Sequence, residues 1–271
     1  MADPIRFIIV AIVGMVLIGG LANLLTQVLN VKFKLHEAVK RNDLAKVKEL
    51  VDAGAPVNEL NASGCTPFYL AVSKQNVEML RFMLLKGADV NIASKPPFEQ
   101  TPLYVAVGTP GPAFRKPGWN SRDQLDVIKL LLDAGADVNA QSYDGKTALM
   151  GAGGNLTVIK LLLDAGADVN AKSTDGRPAL IFITDTSQPL SQEGLNVVHV
   201  LLDKGADVNV KTRHTTALMN ASRAGDLEVV KALLDKGADV NARTMEYGHT
   251  ALSVAANAEV RALLVYAGAK K

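Results

Sequence analysis

The sequence predicts an all-α solenoid of about seven helix–turn–helix units with short finger turns, preceded by one N-terminal transmembrane helix. The first observation is that fourteen letters, VIKLLLDAGADVNA, stand at 127–140 and return at 158–171. The second is that a Thr-initiated apolar segment recurs in step with the pentapeptide GADVN. The third is an uncharged, apolar stretch between Arg6 and Lys32. Repeated sequence indicates repeated geometry, in which each unit packs on a copy of itself.

The N-terminal stretch, residues 7–31, is 25 residues long and carries no charge. A helix rises about 1.5 Å per residue, so this stretch is long enough to span the roughly 30 Å hydrocarbon layer. We therefore interpret residues 1–31 as a membrane anchor that contacts the lipid bilayer through 7–31. Two alternatives stay open: a helix buried in a protein core, and a cleaved signal peptide with Gly20 and Ala22 near the cleavage site.

The charges on either side of this stretch favour a single-pass anchor with the solenoid on the cytoplasmic side. Only Arg6 precedes the apolar span, whereas six cationic residues follow it closely: Lys32, Lys34, Lys40, Arg41, Lys46 and Lys48. An excess of Lys and Arg marks the cytoplasmic side of a membrane segment. The periplasmic or extracellular side stays open, because large domains translocate largely regardless of charge.

Each repeated unit is predicted to contain two short helices and a turn. A threonine caps the start of the first helix through its side-chain oxygen; these threonines are Thr66, Thr101, Thr147, Thr216 and Thr250. The second helix has an apolar stripe, formed in one unit by Leu227, Val230, Leu233 and Leu234, and ends at a left-handed glycine. GADVN supplies that glycine five times, GAPVN once and a terminal GA once: Gly87, Gly135, Gly166, Gly205, Gly237, Gly54 and Gly268.

These residues resemble the ankyrin repeat, whose pattern is G-x-T-P-L-H-x-A followed by V-V-x-L-L-L-x-x-G-A-D-V-N. The resemblance covers residues 34–271 and implies an ankyrin-repeat domain at 32–271. Its units lie at about 34–60, 61–93, 94–141, 142–172, 173–211, 212–243 and 244–271. It also implies a non-enzymatic scaffold that binds a partner protein through its fingers and concave face. The family's histidine is expected in none of the units, because its place holds Tyr69, Tyr104, Met150, Ile181, Met219 and Ser253, which predicts looser turns.

Two units contain extra residues between their helices, and both inserts are predicted to lie on the same edge of the solenoid. The insert of repeat 3, around 108–124, holds four candidate partner-binding residues: Phe114, Arg115, Lys116 and Trp119. The insert of repeat 5 covers 185–194. Surface loops tolerate insertions at little energetic cost, which is the alternative explanation. Trp and Arg, however, are the residue types most enriched at binding hot spots.

The finger tips supply a second candidate surface, because the residue two places after each VN varies and becomes basic towards the C-terminus. The candidate partner-binding residues there are Gln141, Lys172, Lys211, Arg213 and Arg243. Such a stripe would suit an acidic partner. Lysine is, however, an ordinary residue at this position of ankyrin repeats.

Composition argues against several other classes of protein. The 29 Lys and Arg residues nearly balance the 27 Asp and Glu residues, which disfavours a dedicated nucleic-acid binder. The four histidines lie in different units, without a catalytic or metal-ligand spacing, so we expect no catalytic residue, metal, cofactor or small-molecule substrate. Two further roles stay open: an accessory or regulatory subunit of a membrane protein complex, and an exported soluble ankyrin protein with a cleaved signal.

Overall fold

The computed structural model describes residues 34–108 and 121–270, and these residues form seven consecutive pairs of α-helices without any strand. The first described helix, α1, covers 34–40 and pairs with α2 (Leu44–Asp52). The following pairs are α3 (Pro67–Val72) with α4 (Val77–Leu85), α5 (Pro102–Val107) with α6 (Ser121–Asp133), α7 (Ala148–Gly151) with α8 (Leu156–Asp164), α9 (Ala179–Thr184) with α10 (Gln192–Asp203), α11 (Ala217–Ala224) with α12 (Leu227–Asp235), and α13 (Ala251–Val254) with α14 (Ala258–Tyr266). The predicted all-helical solenoid is therefore confirmed.

The helices form two rows, because first helices pack on first helices and most second helices pack on second helices. The space between the rows is filled by equivalent side chains of successive units. The fifth residue of each V-V-x-L-L-like segment is fully buried in six units: Met83, Leu131, Leu162, Leu201, Leu233 and Leu264. Burial of such a side chain contributes about 1.5–3 kcal/mol. Since each unit shares this layer with its neighbours, no unit has a complete core of its own.

Threonine caps begin the first helix in four of the five units for which they are predicted. The Thr66 hydroxyl oxygen, for example, accepts a hydrogen bond from the Tyr69 N–H at 3.0 Å. Thr147 is the exception, because its buried hydroxyl has no hydrogen-bond partner. The second helices have side-chain caps as well, which the sequence analysis did not consider: Asp43, Asn76, Asn155, Ser191, Asp226 and Asn257.

An asparagine ladder joins the units at the C-terminal ends of the second helices. Gly237 has a φ of 83°, the left-handed conformation that ends α12 as predicted. The carbonyl of Gly237 accepts a hydrogen bond from the Asn209 side chain of the preceding unit at 3.0 Å. The Asn209 side-chain oxygen accepts from the Asp239 N–H at 2.8 Å. The same pair of bonds occurs at all six junctions, through Asn58, Asn91, Asn139, Asn170, Asn209 and Asn241.

The family's histidine is present once, so the expectation that it occurs in no unit is wrong. His36 lies in the sequence LHEA at 35–38, which matches the L-H-x-A part of the pattern. Its ring is buried, and the Nε2 atom lies 3.1 Å from the Glu59 carbonyl and 3.2 Å from the Cys65 carbonyl. His36 therefore links the first helix pair to the first turn.

The described C-terminal end of each insert is helical, whereas the inserts were predicted to lie between the helices. Part of each insert extends the following helix, so α6 has 13 residues and α10 has 12, compared with 9 in α4, α8 and α12. Gln124 lies in the repeat 3 insert, and its side-chain amide donates to the Ala106 carbonyl at 3.0 Å. These added turns have side-chain and backbone partners on neighbouring elements.

The predicted transmembrane segment, residues 7–31, lies outside the described residues. Among the helices of 34–108 and 121–270, none is long and apolar enough to cross a membrane.

Candidate interaction surface

Six turns, which we call fingers, connect the second helix of one unit to the first helix of the next. Each finger begins at the third residue after VN, and the N–H of that residue donates to a carbonyl at the finger's end over 2.9–3.2 Å. The fingers are 61–65, 94–100, 142–146, 173–177, 212–215 and 244–249. Their first residues are all small and polar: Asn61, Ser94, Ser142, Ser173, Thr212 and Thr244. Because a hydrogen bond closes every finger, the structure does not support the looser turns that were expected.

The first four fingers are joined to one another by backbone hydrogen bonds. The Lys95 N–H donates to the Gly64 carbonyl at 2.9 Å, and the Tyr143 N–H donates to the Phe98 carbonyl at 3.1 Å. The Thr174 N–H likewise donates to the Asp144 carbonyl at 3.0 Å. The next finger approaches Gly145 so closely that an added Cβ there would lie 2.6 Å from the Thr174 nitrogen. We call the junction between 142–146 and 173–177 the closed joint.

The next junction, between 173–177 and 212–215, has no hydrogen bond between the two fingers within the described parts of the chain. The number of residues in each finger explains why this hydrogen bond is missing. Eight positions separate Asn139 from Thr147, whereas seven separate Asn209 from Thr216. The 212–215 finger is therefore one residue shorter than the 142–146 finger. It also lacks the Asp-Gly turn through which the 142–146 finger contacts the 173–177 finger. We call this junction the open joint.

A groove of about 820 Å³ occupies the open joint and extends to α11. We call it the basic groove, because its lining contains four permanently cationic residues and only two carboxylates. The cations are Arg177, Lys211, Arg213 and Arg223, and the carboxylates are Asp175 and Asp185. Arg177 pairs with Asp185, and Lys211 lies 3.7 Å from Asp239. Arg213 is exposed and has no ion pair within the described residues.

Two buried donors at this groove have no partner. Asn220 is 1% exposed, and its side-chain oxygen accepts a hydrogen bond from the Thr215 hydroxyl at 2.6 Å. Its amide nitrogen has no hydrogen-bond partner, and neither has the buried Nε of Arg177. A buried donor without a partner costs about 1–3 kcal/mol. Such an imbalance is uncommon in folded proteins and calls for a physical reason.

Aromatic side chains occupy the tips of two adjacent fingers on the other side of the closed joint. Phe98 is 64% exposed and Tyr143 is 70% exposed. Their backbones share the hydrogen bond described above, so both side chains project from a held backbone. Phe182, by contrast, contacts two cations at the closed joint, with Arg177 4.4 Å and Lys146 5.6 Å from its ring centroid.

The five predicted finger residues are all exposed, but they do not act as one uniform stripe. The Gln141 side chain donates to the Lys172 carbonyl at 3.3 Å, and Arg243 donates to the Gly248 carbonyl at 3.4 Å. Only Lys211 and Arg213 line the basic groove. Arg177, Asn220 and Arg223 were not among the predicted site residues, although the shortened finger spacing is a signal that could have located them.

The predicted insert residues, Phe114, Arg115, Lys116 and Trp119, lie outside the described residues, so their role stays a prediction. The repeat 5 insert is described, and it is attached to both neighbouring units. The Leu190 N–H donates to Asp226 at 2.7 Å, and the Leu156 N–H donates to Glu193 at 3.2 Å. Residues 185–194 therefore lie against repeats 4 and 6 instead of forming a free projection.

The described residues contain no group of three or more His, Cys, Asp or Glu side chains that could hold a metal ion. Cys65 is a free, partly buried thiol, and burial raises its pKa. Because the thiolate is the reactive form, this shift makes Cys65 a weaker nucleophile than an ordinary cysteine.

Comparison with family models identifies the chain. A model for ankyrin repeats (3 copies) matches residues 120–184 and 187–271, and a second model for ankyrin repeats (many copies) matches 35–84. The chain belongs to the ankyrin-repeat family. Ankyrin-repeat domains mediate protein–protein interaction, and the fold is typically a non-enzymatic interaction domain.

Solved ankyrin structures are similar along most of the chain. The ankyrin repeat domain of Bcl-3, described as a unique member of the IkappaB protein family, superimposes with a TM-score of 0.66 at 30% identity. That match covers 86% of this chain and 97% of the Bcl-3 domain. The human ASB11 ankyrin repeat domain superimposes with a TM-score of 0.67 at 22% identity, covering 88% of this chain and 98% of that domain, which supports the fold alone.

Curated relatives match over shorter segments. A putative ankyrin repeat protein of Fowlpox virus, FPV240, is 38% identical over 64 residues, which are 23% of this chain and 16% of that protein. The human ankyrin repeat and SOCS box protein 16 is 32% identical over 115 residues, 42% of this chain and 22% of that protein. The matches therefore cover less than a quarter of the length of these relatives, and they indicate a shared repeat module.

Proposed function

We propose that this chain is a non-enzymatic scaffold that binds a partner protein through its fingers and the adjoining first helices. The observation that carries this proposal is the pair of exposed aromatic side chains, Phe98 and Tyr143, on hydrogen-bonded finger backbones. Exposed aromatics supply a large contact area, and a held backbone loses little entropy on binding. The six-rung asparagine ladder keeps these tips at fixed spacing.

The test of this proposal is capture of partners by the full chain, followed by mass spectrometry and an affinity measurement on the partner found. We expect the double substitution of Phe98→Ser and Tyr143→Ser to weaken that affinity by about 2 kcal/mol or more, which is typical of hot-spot aromatics. The matched control is Tyr266→Ser, because Tyr266 is 92% exposed on α14 and away from the fingers. Equal losses in both variants would contradict a finger-based site.

The repeat 3 insert is the second candidate contact, because it contains the chain's single Trp among cationic residues. If Trp119 anchors the partner, Trp119→Ala should weaken binding by about 2 kcal/mol or more with little change in melting temperature. Unchanged affinity would favour a tolerated surface insertion instead.

We also propose that residues 7–31 tether the ankyrin domain to a membrane, with the domain on the cytoplasmic side. The uncharged 25-residue stretch and the cluster of cations after it support this arrangement. Deletion of 1–31 should release a soluble, folded domain from the membrane fraction. Protease applied to the outer side of intact cells should leave the repeats uncut, and their removal would place the domain outside.

Two other roles follow from the same N-terminal stretch. An exported binding protein would have lost it, and N-terminal sequencing of the mature protein would show the cleavage. An accessory subunit of a membrane complex would keep it and co-purify with that complex in detergent. The uncharged stretch carries Asn23, Thr26, Gln27 and Asn30 in its second half, and polar side chains of this kind join helices inside membranes, which favours the subunit role.

A further inference from the structure

We infer that the basic groove at the open joint binds an acidic side chain from an extended segment of the partner protein. This inference deepens the proposed function, because it assigns a ligand chemistry to one part of the finger surface. It starts from the shape of the groove. One missing residue in the 212–215 finger opens about 820 Å³ between two fingers that the ladder residue Asn170 holds in register.

The hydrogen-bonding capacity of the groove is unbalanced towards donors. Asn220 has an unpartnered amide nitrogen and Arg177 has an unpartnered Nε, although both atoms are buried. Arg213 adds an exposed guanidinium without an ion pair among the described residues. A ligand that pairs with the exposed Arg213, or that reaches the two buried donors after a side-chain shift, must bring acceptor atoms. An anion supplies these acceptors and also offsets the cationic surplus.

The charge pattern favours a carboxylate over a dianionic phosphate. Asp175 and Asp185 also line the groove, and Asp185 already pairs with Arg177. The surplus positive charge is therefore modest, and a second negative charge on the ligand would face these two carboxylates. Arg213 and Arg223 are the cations without a carboxylate partner in the described structure, and a guanidinium binds a carboxylate through two parallel hydrogen bonds.

The rim of the groove indicates which kind of residue lies next to the acidic side chain in the partner's extended segment. Met245 comes from the following finger, lines the groove and is 78% exposed. A methionine adapts its shape to an apolar partner. We therefore expect an acidic residue followed or preceded by an apolar residue in an extended peptide.

The experiment measures binding of a fluorescein-labelled peptide of alternating Glu and Leu residues to the full chain in detergent micelles, by fluorescence anisotropy. A second peptide with Gln in place of every Glu controls for apolar binding. We expect the Glu peptide to bind at least about tenfold more tightly than the Gln peptide, because loss of a charge-assisted pair has an effect of this size. Equal binding of the two peptides would overturn the inference.

Two charge reversals locate the site. Arg213→Glu lies in the groove, whereas Lys172→Glu changes the same charge at the base of the preceding finger, outside the groove lining. We expect Arg213→Glu to weaken binding of the Glu peptide about tenfold or more, and Lys172→Glu to weaken it about threefold or less. Equal weakening by both would show a diffuse electrostatic attraction and overturn the site.

A loop insertion tests the geometric origin of the groove. One glycine inserted after His214 restores the eight-residue spacing of the two preceding fingers and should abolish binding of the Glu peptide. Arg213→Glu keeps the inference testable if this variant does not fold. A phosphoserine version of the peptide completes the set, and preferential binding of that version would overturn the carboxylate assignment.

These outcomes are separable from those of the partner-capture experiment. A partner that depends on Phe98 and Tyr143 but not on Arg213, combined with no binding of the Glu peptide, would refute the groove and leave the scaffold proposal intact. Conversely, loss of the scaffold proposal would appear as a partner whose affinity is unchanged by the finger-tip variants.

Discussion

The closed joint and the open joint are neighbours in the same row of fingers, and they differ by one residue of chain. At the closed joint, the Thr174 N–H and hydroxyl both donate to the Asp144 carbonyl at 3.0 Å. At the open joint, Arg213 and His214 replace the Asp-Gly turn, and the facing finger residues have no hydrogen bond between them within the described chain. The asparagine ladder crosses both joints unchanged.

This difference shows which parts of the repeat hold the stack and which parts remain available for recognition. The ladder occurs at every junction and the buried apolar layer in six of the seven units, so they stabilise the solenoid whatever the finger tips contain. The open joint keeps the ladder but lacks a finger-to-finger hydrogen bond among the described residues, and two donors beside it, at Asn220 and Arg177, have no partner. Departures of this kind are expected where a protein binds something, because a fully satisfied surface has no capacity left for a ligand.

The largest effect is expected from substituting the glycines of the two fingers. Gly145 and Gly176 both have positive φ, at 72° and 79°, so alanine costs about 1 kcal/mol at either position. At Gly145 the new Cβ would also lie 2.6 Å from the Thr174 nitrogen, whereas at Gly176 nothing lies within 4 Å. We expect Gly145→Ala to lower the free energy of unfolding by about 2–3 kcal/mol and Gly176→Ala by about 1 kcal/mol.

Chemical denaturation followed by circular dichroism measures this difference on the two variants. Equal destabilisation would mean that the closed joint is not closely packed and that the two fingers are alike. The matched pair removes the contribution of backbone conformation, because both glycines adopt nearly the same φ.

The asparagine ladder should contribute more to the free energy of unfolding at the open joint than at the closed joint. Asn139 crosses the closed joint, and Asn170 crosses the open joint through bonds of 3.0 Å to Gly205 and 2.8 Å to Asp207. We expect Asn170→Ala to cost about 2 kcal/mol and Asn139→Ala about 1 kcal/mol, because only the closed joint keeps other finger hydrogen bonds. Hydrogen exchange should show faster opening of repeats 5–7 in Asn170→Ala, and the reverse ranking would contradict this role.

A buried asparagine in the basic groove should behave differently from a ladder asparagine. Asn220 already has an unpartnered amide nitrogen. The Thr215 hydroxyl that donates to its oxygen also lies 3.1 Å from the Thr216 carbonyl, to which it can donate instead when Asn220 is replaced. Asn220→Leu keeps the approximate shape and removes the unpartnered donor. We therefore expect the free energy of unfolding to change by less than about 1 kcal/mol. A loss as large as that of Asn170→Ala would show that Asn220 is structural.

The sequence predicted the solenoid because its repeat fixes both period and helix type. GADVN supplied the left-handed glycine and the Thr-initiated segments supplied the caps, and these local signals agree with the observed helices. His36 was recognisable from the sequence, because LHEA carries the L-H-x-A part of the pattern. The extra turns of α6 and α10 could not be predicted, because neither insert shows a clear apolar period.

The binding surface was only partly predictable, because it depends on distances between units. Lys211 and Arg213 were identified from finger variation, but the sequence analysis did not relate them to Arg177 and Arg223, which approach them only in the stack. Finger length was the informative signal. A seven-residue spacing between Asn209 and Thr216, against eight in three other fingers, indicates a gap wherever neighbouring fingers otherwise touch.

The smallest expected effect is the pH dependence of stability that arises from the Asp144–Lys146 ion pair at the closed joint. Burial raises the pKa of Asp144, but hydrogen bonds from Lys146 and Ser142 outweigh it, so the net pKa is lowered. The hydrogen bond to Asp144 raises the pKa of Lys146. Because the pKa of Asp144 is lower in the folded state, its carboxylate stabilises the fold at pH values above the unfolded-state pKa, near 3.9. This stabilisation is lost as the pH falls through the folded-state pKa. Because the pKa of Lys146 is higher in the folded state, its ammonium group stabilises the fold at pH values below the unfolded-state pKa, about 10.4. This stabilisation is lost as the pH rises through the folded-state pKa.

The pair joins Asp144 Oδ2 to Lys146 Nζ at 2.7 Å, with 48% and 35% of the two side chains exposed, so solvent reduces its contribution. The measurement is the melting temperature from pH 2 to pH 6 for the wild type and for Asp144→Asn. We expect the wild type to be slightly more stable at pH 6 and the two curves to converge as pH falls below 4. Asp175→Asn in the following finger is the control, since Asp175 lies 4.0 Å from its nearest cation, Arg177. An equal pH-dependent loss in that control would mean that the closed joint gains no specific support from its ion pair.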